Sequence, residues 1–211
     1  MKPRQECDQY VVAELSKIGV RVLSIFDLVN TKEAYPEAIP VLLNCLDYVD
    51  DPVIKEALVR ALTVKEAEGI ANKRLIREFL AIPASAPPVD QLLKWVIANA
   101  LSVIATDADY AELVNIVTTK EHGKAREMVA VALGRMKNSA AGKMLTELLS
   151  DDDIVGHAAM ALNKLRYLPA LPILESLRDH HKAWVRKEIH KAIQKLSTNR
   201  TRHEHANNSK Q

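Results

Sequence analysis

Glycine and aromatic residues are scarce in this 211-residue chain, which has 6 glycines and only 4% aromatic residues. Sandwiches and barrels need many tight turns, and nucleotide-binding loops need closely spaced glycines, so the scarcity argues against both. The chain also lacks an excess of one charge, because 29 Lys and Arg residues balance 27 Asp and Glu residues. That balance argues against a protein that coats nucleic acid along its whole length.

Cysteines and long apolar runs are equally scarce. Cys7 and Cys45 are too few for a disulfide scaffold. Cys45 lies in an apolar run at residues 41–46, which predicts a buried thiol. No apolar run approaches the roughly 18 residues that a membrane span needs, and the N-terminal residues lack the apolar core of a signal peptide. These features predict a cytoplasmic protein without a membrane segment.

The patterns that most enzyme and metal sites need are missing too. The sequence has no Cys/His set with zinc spacing, no phosphate-binding glycine loop and no Gly-x-Ser-x-Gly nucleophile. We interpret His180 and His181, which lie in a predicted turn, as solvated or capping side chains. The three aspartates at 151–153 match the dipole of a following helix, so a cation site is not needed to explain them. The sequence therefore predicts no catalytic residue, no cofactor and no metal.

A short repeat is what the sequence does contain. Alanine, then Leu or Ile, then usually a larger apolar residue three positions later, recurs at residues 57–61, 100–104, 132–136, 161–165 and 192–196. Successive alanines lie 43, 32, 29 and 31 residues apart. Positions i, i+1 and i+4 share one face of a helix, and a small residue there lets a neighbouring helix approach closely. A second apolar segment and a polar turn precede each copy, which predicts a unit of helix A, turn and helix B.

The motifs in these units resemble those of a known repeat class. Asp179 followed by Val185 and Arg186, and the Ala-Leu pairs at 132–133 and 161–162, resemble the D…VR…AL-G pattern of short HEAT-like repeats, including those of phycobilisome-lyase-type proteins. The resemblance covers residues 35–196. It departs from the pattern at residues 154–156, where no Arg follows the Val, and at 125–126, where Ala precedes the Arg. It is good evidence for fold and poor evidence for function.

The resulting fold prediction is an all-α, right-handed α-solenoid of about five HEAT-like helix pairs. The predicted parts are an N-terminal helical cap at 1–34, repeat units at about 35–66, 70–105, 107–137, 139–166 and 168–196, and a disordered tail at 197–211. Residues 83–88 form a Pro-rich loop that cannot be helical throughout. That loop is either a surface insertion or a loop that contacts a partner.

The position three residues after each repeat alanine is predicted to point outward, and its basic residues are the candidate binding residues. It is occupied by Arg60, Val103, Arg135, Lys164 and Lys195. The resemblance places the B helices on the concave side, where this row is either an ordinary solvated face, diluted by acids such as Glu56 and Glu188, or a binding surface. Trp95 is either an exposed anchor for a partner or a residue packed under the Pro-rich loop. Trp184 is predicted to pack on the preceding repeat.

The function that fits best is a non-catalytic scaffold or adaptor holding a protein partner, expected to be acidic, on the B-helix face. Stacked repeats offer an extended rigid surface, which favours this interpretation. A phycobilin lyase or pigment-chaperone-like protein is one alternative, implied by the repeat class. A nucleic-acid-binding or DNA-repair HEAT-like protein is the second, and its support is a fold-level analogy alone. Nucleic acid and membrane are not expected partners.

Overall fold

The computed structural model describes residues 2–208, with side chains for residues 2–198. It is 71% helix, and no strand occurs in the described residues, which confirms the all-α prediction. The α-helices of this part of the chain are α1 Arg4–Lys17, α2 Ile25–Asn30, α3 Ala38–Cys45, α4 Pro52–Ala61, α5 Asn72–Ala81, α6 Pro88–Ile104, α7 Tyr110–Thr118, α8 Ala125–Leu133, α9 Ser139–Glu147, α10 Val155–Leu165, α11 Leu171–Ser176 and α12 Ala183–Asn208. None of these helices is both long and apolar enough to cross a membrane.

The chain folds as two compact units, which we call unit 1 (Met1–Asp109) and unit 2 (Tyr110–Gln211). In unit 1, α1 packs on α3 and α4, and α2 packs on α4. The pair α5/α6 follows in the chain, and its second helix, α6, packs on α4. In unit 2 the pairs are α7/α8, α9/α10 and α11/α12, and their second helices pack in the order α8, α10, α12. With α3/α4 and α5/α6, these make the five predicted helix pairs, and the fold is of the α-solenoid class.

The repeat alanines are where the sequence predicts them to be, inside the helix contacts. Ala57, Ala100, Ala132, Ala161 and Ala192 are all at most 2% exposed. In unit 2 one such contact lies at Gly134, where an added Cβ would lie 2.7 Å from the Cα of Ala161. No larger side chain fits between α8 and α10 at this point, which confirms the predicted role of the small residues.

A buried arginine joins two repeats of unit 2. Arg126 in α8 is 1% exposed, and its Nε donates to the carbonyl of Val117 at 2.7 Å. Its guanidinium also donates to Asp151 Oδ2 in the next repeat, at 2.5 Å. Burial opposes ionisation of Asp151, but the hydrogen bonds to its carboxylate, led by that from Arg126, lower its pKa overall. The charge is thus buried with its partners in place.

The aspartates of two turns act differently at the helices that follow them. Asp51 is the N-cap of α4 and accepts from the N–H groups of Val53 and Ile54, both at 3.0 Å. At α10 the N-cap is Ile154, without a side-chain cap bond. Asp151 binds Arg126 instead, because a buried guanidinium is a stronger donor to a carboxylate than a helix N–H is.

The last helix also differs from the predicted chain end. α12 continues to Asn208, past residue 197, where the sequence analysis places the start of a disordered tail. Residues 197–208 contain neither glycine nor proline, so no residue there stops the helix. These residues include almost no apolar side chains, which predicts that the segment does not pack on a core. That prediction does not bear on whether the backbone is helical. Residues 209–211 lie outside the described residues.

Candidate partner-binding surface

The four basic residues of the predicted outward row are all exposed, and Val103 is half-buried. Arg60 lies in unit 1, and Arg135, Lys164 and Lys195 lie in unit 2. Arg60 is already paired: its Nε and a terminal guanidinium nitrogen donate to Glu56 Oε1 at 2.8 and 2.6 Å. The dilution predicted from Glu56 therefore occurs at Arg60, whereas Glu188 pairs with Lys191, at 2.6 Å.

Arg135 and Lys164 are the members of the row that act on each other. Arg135 comes one residue after Gly134, and Lys164 comes three residues after Ala161, so both follow the contact between α8 and α10. Partial burial lowers the pKa of Lys164, and the positive charge of Arg135 lowers it further. The Lys164 ammonium forms no hydrogen bond or ion pair with any other residue that the structure describes. An anionic group added near Lys164 would offset the unfavourable effect of the Arg135 charge on it.

Trp184 is an exposed aromatic residue that contacts the first turn of α10, and it is not among the binding residues predicted from the sequence. Its ring lies on Gly156, where an added Cβ would come within 2.2 Å of Cζ3, and its centroid is 5.2 Å from that of the His157 ring. The predicted packing of Trp184 on the preceding repeat is thus confirmed. The side chain nevertheless stays 46% exposed, and Met160, which is 40% exposed, lies one turn further along α10.

His157, Met160 and Lys164 share one face of α10, since they are three and four residues apart. With Trp184 above His157 they form a continuous surface, which we call the α10 strip. Its first half is aromatic and apolar, and its second half ends at Lys164. Burial lowers the pKa of His157, opposed by the charge of Glu127, which favours the neutral ring and keeps the first half free of charge.

Trp95, the aromatic candidate of unit 1, is only partly exposed in α6. It lies three residues after the exposed Leu92 and so on the same side of the helix. The ring is therefore neither fully exposed nor fully buried. Its role in binding stays a prediction.

Three possible metal ligands meet between two turns of unit 2. One ligand atom each of Asp152, His180 and His181 lies within 4.8 Å of the others. Lys182 already occupies the carboxylate, with its Nζ 2.6 Å from Asp152 Oδ2, and its backbone N–H donates to His180 Nδ1 at 3.2 Å. That bond leaves the proton of a neutral His180 ring on Nε2, which donates to Asp152 Oδ1 at 3.0 Å.

A metal at this point would have to displace both the Lys182 ammonium and the proton on His180 Nε2. The contacts instead join the turns of the last two repeats, through Asp152 in one and His180 and Lys182 in the other. These contacts could not be predicted from the sequence, because the residues that form them lie about one repeat apart in the chain.

A cavity of about 330 Å³ in unit 1 is lined by residues of the α1–α2 and α2–α3 connections. Two of its polar side chains are engaged in holding the fold. The Tyr35 hydroxyl contacts the carbonyls of Ala61, at 2.8 Å, and Leu28, at 3.2 Å. The Asp27 carboxylate accepts from the N–H of Leu23 at 2.7 Å. Neither group is arranged as an acid–base pair.

Comparison with known proteins gives one family and no individual relative. Residues 110–194 match the family model for HEAT repeats, a segment that lies within unit 2. The match is to HEAT repeats in general and does not single out the phycobilisome-lyase type. No curated protein and no solved structure matches the chain significantly. The match identifies HEAT repeats in residues 110–194, and the five helix pairs of the described residues are consistent with the α-solenoid fold that such repeats form.

Proposed function

We propose that the chain is a non-catalytic scaffold or adaptor that holds an acidic protein partner on the B-helix face of unit 2. HEAT repeats typically mediate protein interactions, which supports a scaffold in general terms. The observation that supports the specific proposal is the pair Arg135 and Lys164, two exposed cations that follow the contact of Gly134 with Ala161 and of which Arg135 lowers the pKa of Lys164. A carboxylate group placed between them would relieve their repulsion.

The α10 strip supplies the second element of recognition. Trp and Arg are the residues that most often dominate binding energy, especially where a ring is held rigidly and stays partly exposed. Trp184 is held in this way by its contacts with Gly156 and His157. A partner with an apolar side chain near its acidic residues would contact both halves of the strip. Lys195 would add to the positive field.

Arg60 and Trp95, the candidates in unit 1, contribute less in this proposal. Glu56 already neutralises Arg60, and Trp95 has already lost part of its exposed surface. We also propose a cytoplasmic location, which is compatible with the two free, buried cysteines. The pigment-chaperone and DNA-repair alternatives have no supporting contact in the described residues, so we propose the scaffold alone.

The test is cross-linking capture from the source cell, with the full chain as bait. Partners are identified by mass spectrometry for the wild type and for the double variant Arg135→Glu, Lys164→Glu. We expect the double variant to lose the captured protein. Wild-type capture should weaken as salt rises, because exposed charges are screened over about 8 Å at physiological ionic strength.

A double variant with the same change in net charge is the matched control. Lys32→Glu with Lys143→Glu changes two exposed lysines outside the B helices. It should keep the partner, and all proteins should keep nearly the same melting temperature. Equal capture by both double variants would exclude this face of unit 2. Capture of nucleic acid, or of no protein at all, would contradict the scaffold proposal itself.

A further inference from the structure

The Pro-rich insertion of unit 1 forms an apolar surface of its own. Residues 83–88 are largely exposed and carry no charge. The exposed apolar residues continue into the flanking helices, with Leu80 before the loop and Val89 and Leu92 after it, the last two 44% and 48% exposed. We call the loop and these three residues the insertion surface. Contiguous exposed apolar groups of this kind commonly mark an interaction site.

The insertion surface is held in one conformation by two side chains of α6. Gln91 Nε2 donates to the carbonyls of Pro83 and Ala84, at 2.9 and 3.0 Å. Lys94 Nζ donates to the carbonyl of Ile82 at 2.6 Å and lies 4.9 Å from the ring centroid of Phe79.

Lys94 is a buried cation whose pKa is lowered by its burial, so fixing this loop carries a desolvation cost. A loop held in advance loses less entropy when a partner binds.

A cavity of about 280 Å³ adjoins this surface. It is smaller than a typical small-molecule site, so its size suits a single bulky side chain of a longer ligand. Its apolar lining comes from Pro52, Ala81, Ile82, Pro83 and Leu93, and its polar lining from Asp50, Lys55, Glu78 and Asp90. The acidic residues outnumber the single lysine.

The three acids of the cavity are not equally available. Glu78 pairs with Arg74 at 2.8 Å, and Asp50 accepts from the backbone N–H of Lys2 at 3.3 Å. The Asp90 carboxylate forms no hydrogen bond or ion pair with another described residue. A cation from outside can therefore bind Asp90 without breaking an existing pair.

We propose that the insertion surface binds a partner peptide that combines a bulky apolar side chain with a neighbouring Lys or Arg. The apolar side chain enters the 280 Å³ cavity beside Pro83 and Leu93, and the cation binds Asp90. The peptide also contacts the exposed Val89, which precedes Asp90 in the chain. The charge preference is opposite to that proposed for unit 2. The chain would then be an adaptor with two sites of different chemistry, and this second site stands whether or not unit 2 binds an acidic partner.

The experiment is selection of a random 12-residue peptide library displayed on phage against the immobilised full chain. We expect the enriched peptides to carry an aromatic residue or Leu within a few positions of Lys or Arg. Affinity of a synthetic enriched peptide is then measured by fluorescence anisotropy. Val89→Ser and Asp90→Lys should each weaken binding at least about tenfold, the size expected for anchor contacts.

Two further variants separate the role of the surface from that of the fold. Ile70→Ser changes another exposed apolar residue, at the opposite end of α5, and should leave the affinity unchanged. Gln91→Ala removes both bonds to the loop and should weaken binding without changing which peptides are selected. Circular dichroism melts should agree for all four variants, because each replaced side chain lies at the surface or half-buried.

The proposal is overturned if no peptide is enriched, if the enriched peptides are acidic, or if Val89→Ser binds as well as the wild type. It is also overturned if the full chain forms dimers by light scattering that Val89→Ser dissolves. That result would assign the insertion surface to a second copy of the chain.

Discussion

Unit 1 and unit 2 bury the same Ala-Leu motif, yet only unit 2 contains the match to HEAT repeats. The alanines of unit 2 lie 29 and 31 residues apart, whereas the two of unit 1 lie 43 residues apart because the Pro-rich loop separates α5 from α6. The buried motif alone is thus enough to pair the helices. The unit with the more regular spacing is the one that contains the match to HEAT repeats.

The two units also differ in how they connect their turns. In unit 2 the buried Arg126 pairs with Asp151. In unit 1 the buried Asn72 donates to the buried Asp109 at 2.5 Å, and Asp109 also accepts from the N–H of Thr106 at 2.9 Å. One unit therefore buries a cation with its carboxylate, and the other buries an amide with its carboxylate. Removing a partner should cost more in unit 2, because Asp151 then loses the buried guanidinium that pairs with it. Without Asn72, the Asp109 carboxylate still keeps the N–H of Thr106 and the Lys73 ammonium, 3.6 Å away.

The largest expected effect is that of Arg126→Met, which leaves the Asp151 carboxylate without its cation. We expect it to lower the free energy of unfolding of unit 2 by about 3–5 kcal/mol. Asn72→Ala should lower that of unit 1 by only about 1–3 kcal/mol. Urea unfolding followed by tryptophan fluorescence separates the units when each variant is made in a Trp184→Phe and in a Trp95→Phe background, since Trp95 lies in unit 1 and Trp184 in unit 2. A smaller loss for Arg126→Met than for Asn72→Ala would contradict this comparison.

The next effect tests the close contact of α8 and α10. Ala161→Leu should overpack the contact with Gly134 and cost about 1–3 kcal/mol. Met160→Leu, at the neighbouring exposed position, should change stability by no more than about 0.5 kcal/mol. The same urea unfolding measures both. Similar losses for the two variants would show that the alanine does not lie in the contact.

The helix pairs, the buried alanines and the non-helical Pro-rich loop could be predicted from the sequence, because each depends on residues close together in the chain. Trp184 on Gly156, and Arg126 with Asp151, could not be predicted as contacts. They join residues about one repeat apart, and their meeting depends on how far neighbouring repeats are offset. One signal was available for Trp184, namely a glycine inside a helix one repeat earlier, where glycine weakens the helix unless a neighbour needs the space.

A smaller effect should come from pH, and it should be confined to unit 2. All seven histidines follow residue 109, so unit 1 has none. Burial lowers the pKa of His157 below its ordinary value of 6.5, so the unfolded chain takes up its proton first as pH falls. Stability from His157 is therefore lost as pH falls below 6.5, and His157→Phe should reduce the loss. The measurement is urea unfolding between pH 7.5 and 5. An equal pH-dependent loss of stability in unit 1, reported by Trp95 fluorescence, would contradict the assignment of this effect to His157.

The smallest expected effect concerns cysteine reactivity, which reports on unit 1 because that unit holds both cysteines. Burial raises the pKa of the Cys45 thiol to about 11, and the residue is buried, as its apolar surroundings in the sequence predict. Cys45 should therefore not react with a thiol reagent at pH 8 until unit 1 unfolds. Its labelling rate should follow the urea dependence of Trp95 fluorescence. Rapid labelling of the native protein would show that the thiol is accessible.

Hydroxyl-radical footprinting of the chain with its captured acidic partner tests most directly whether unit 2 carries the binding surface. Trp184 and Met160 in unit 2 and Tyr48 in unit 1 are all exposed and oxidisable, so one experiment follows both units. The account predicts that the partner slows oxidation of Trp184 and Met160 and leaves Tyr48 unchanged. Protection of Tyr48, with none at Trp184 or Met160, would contradict it.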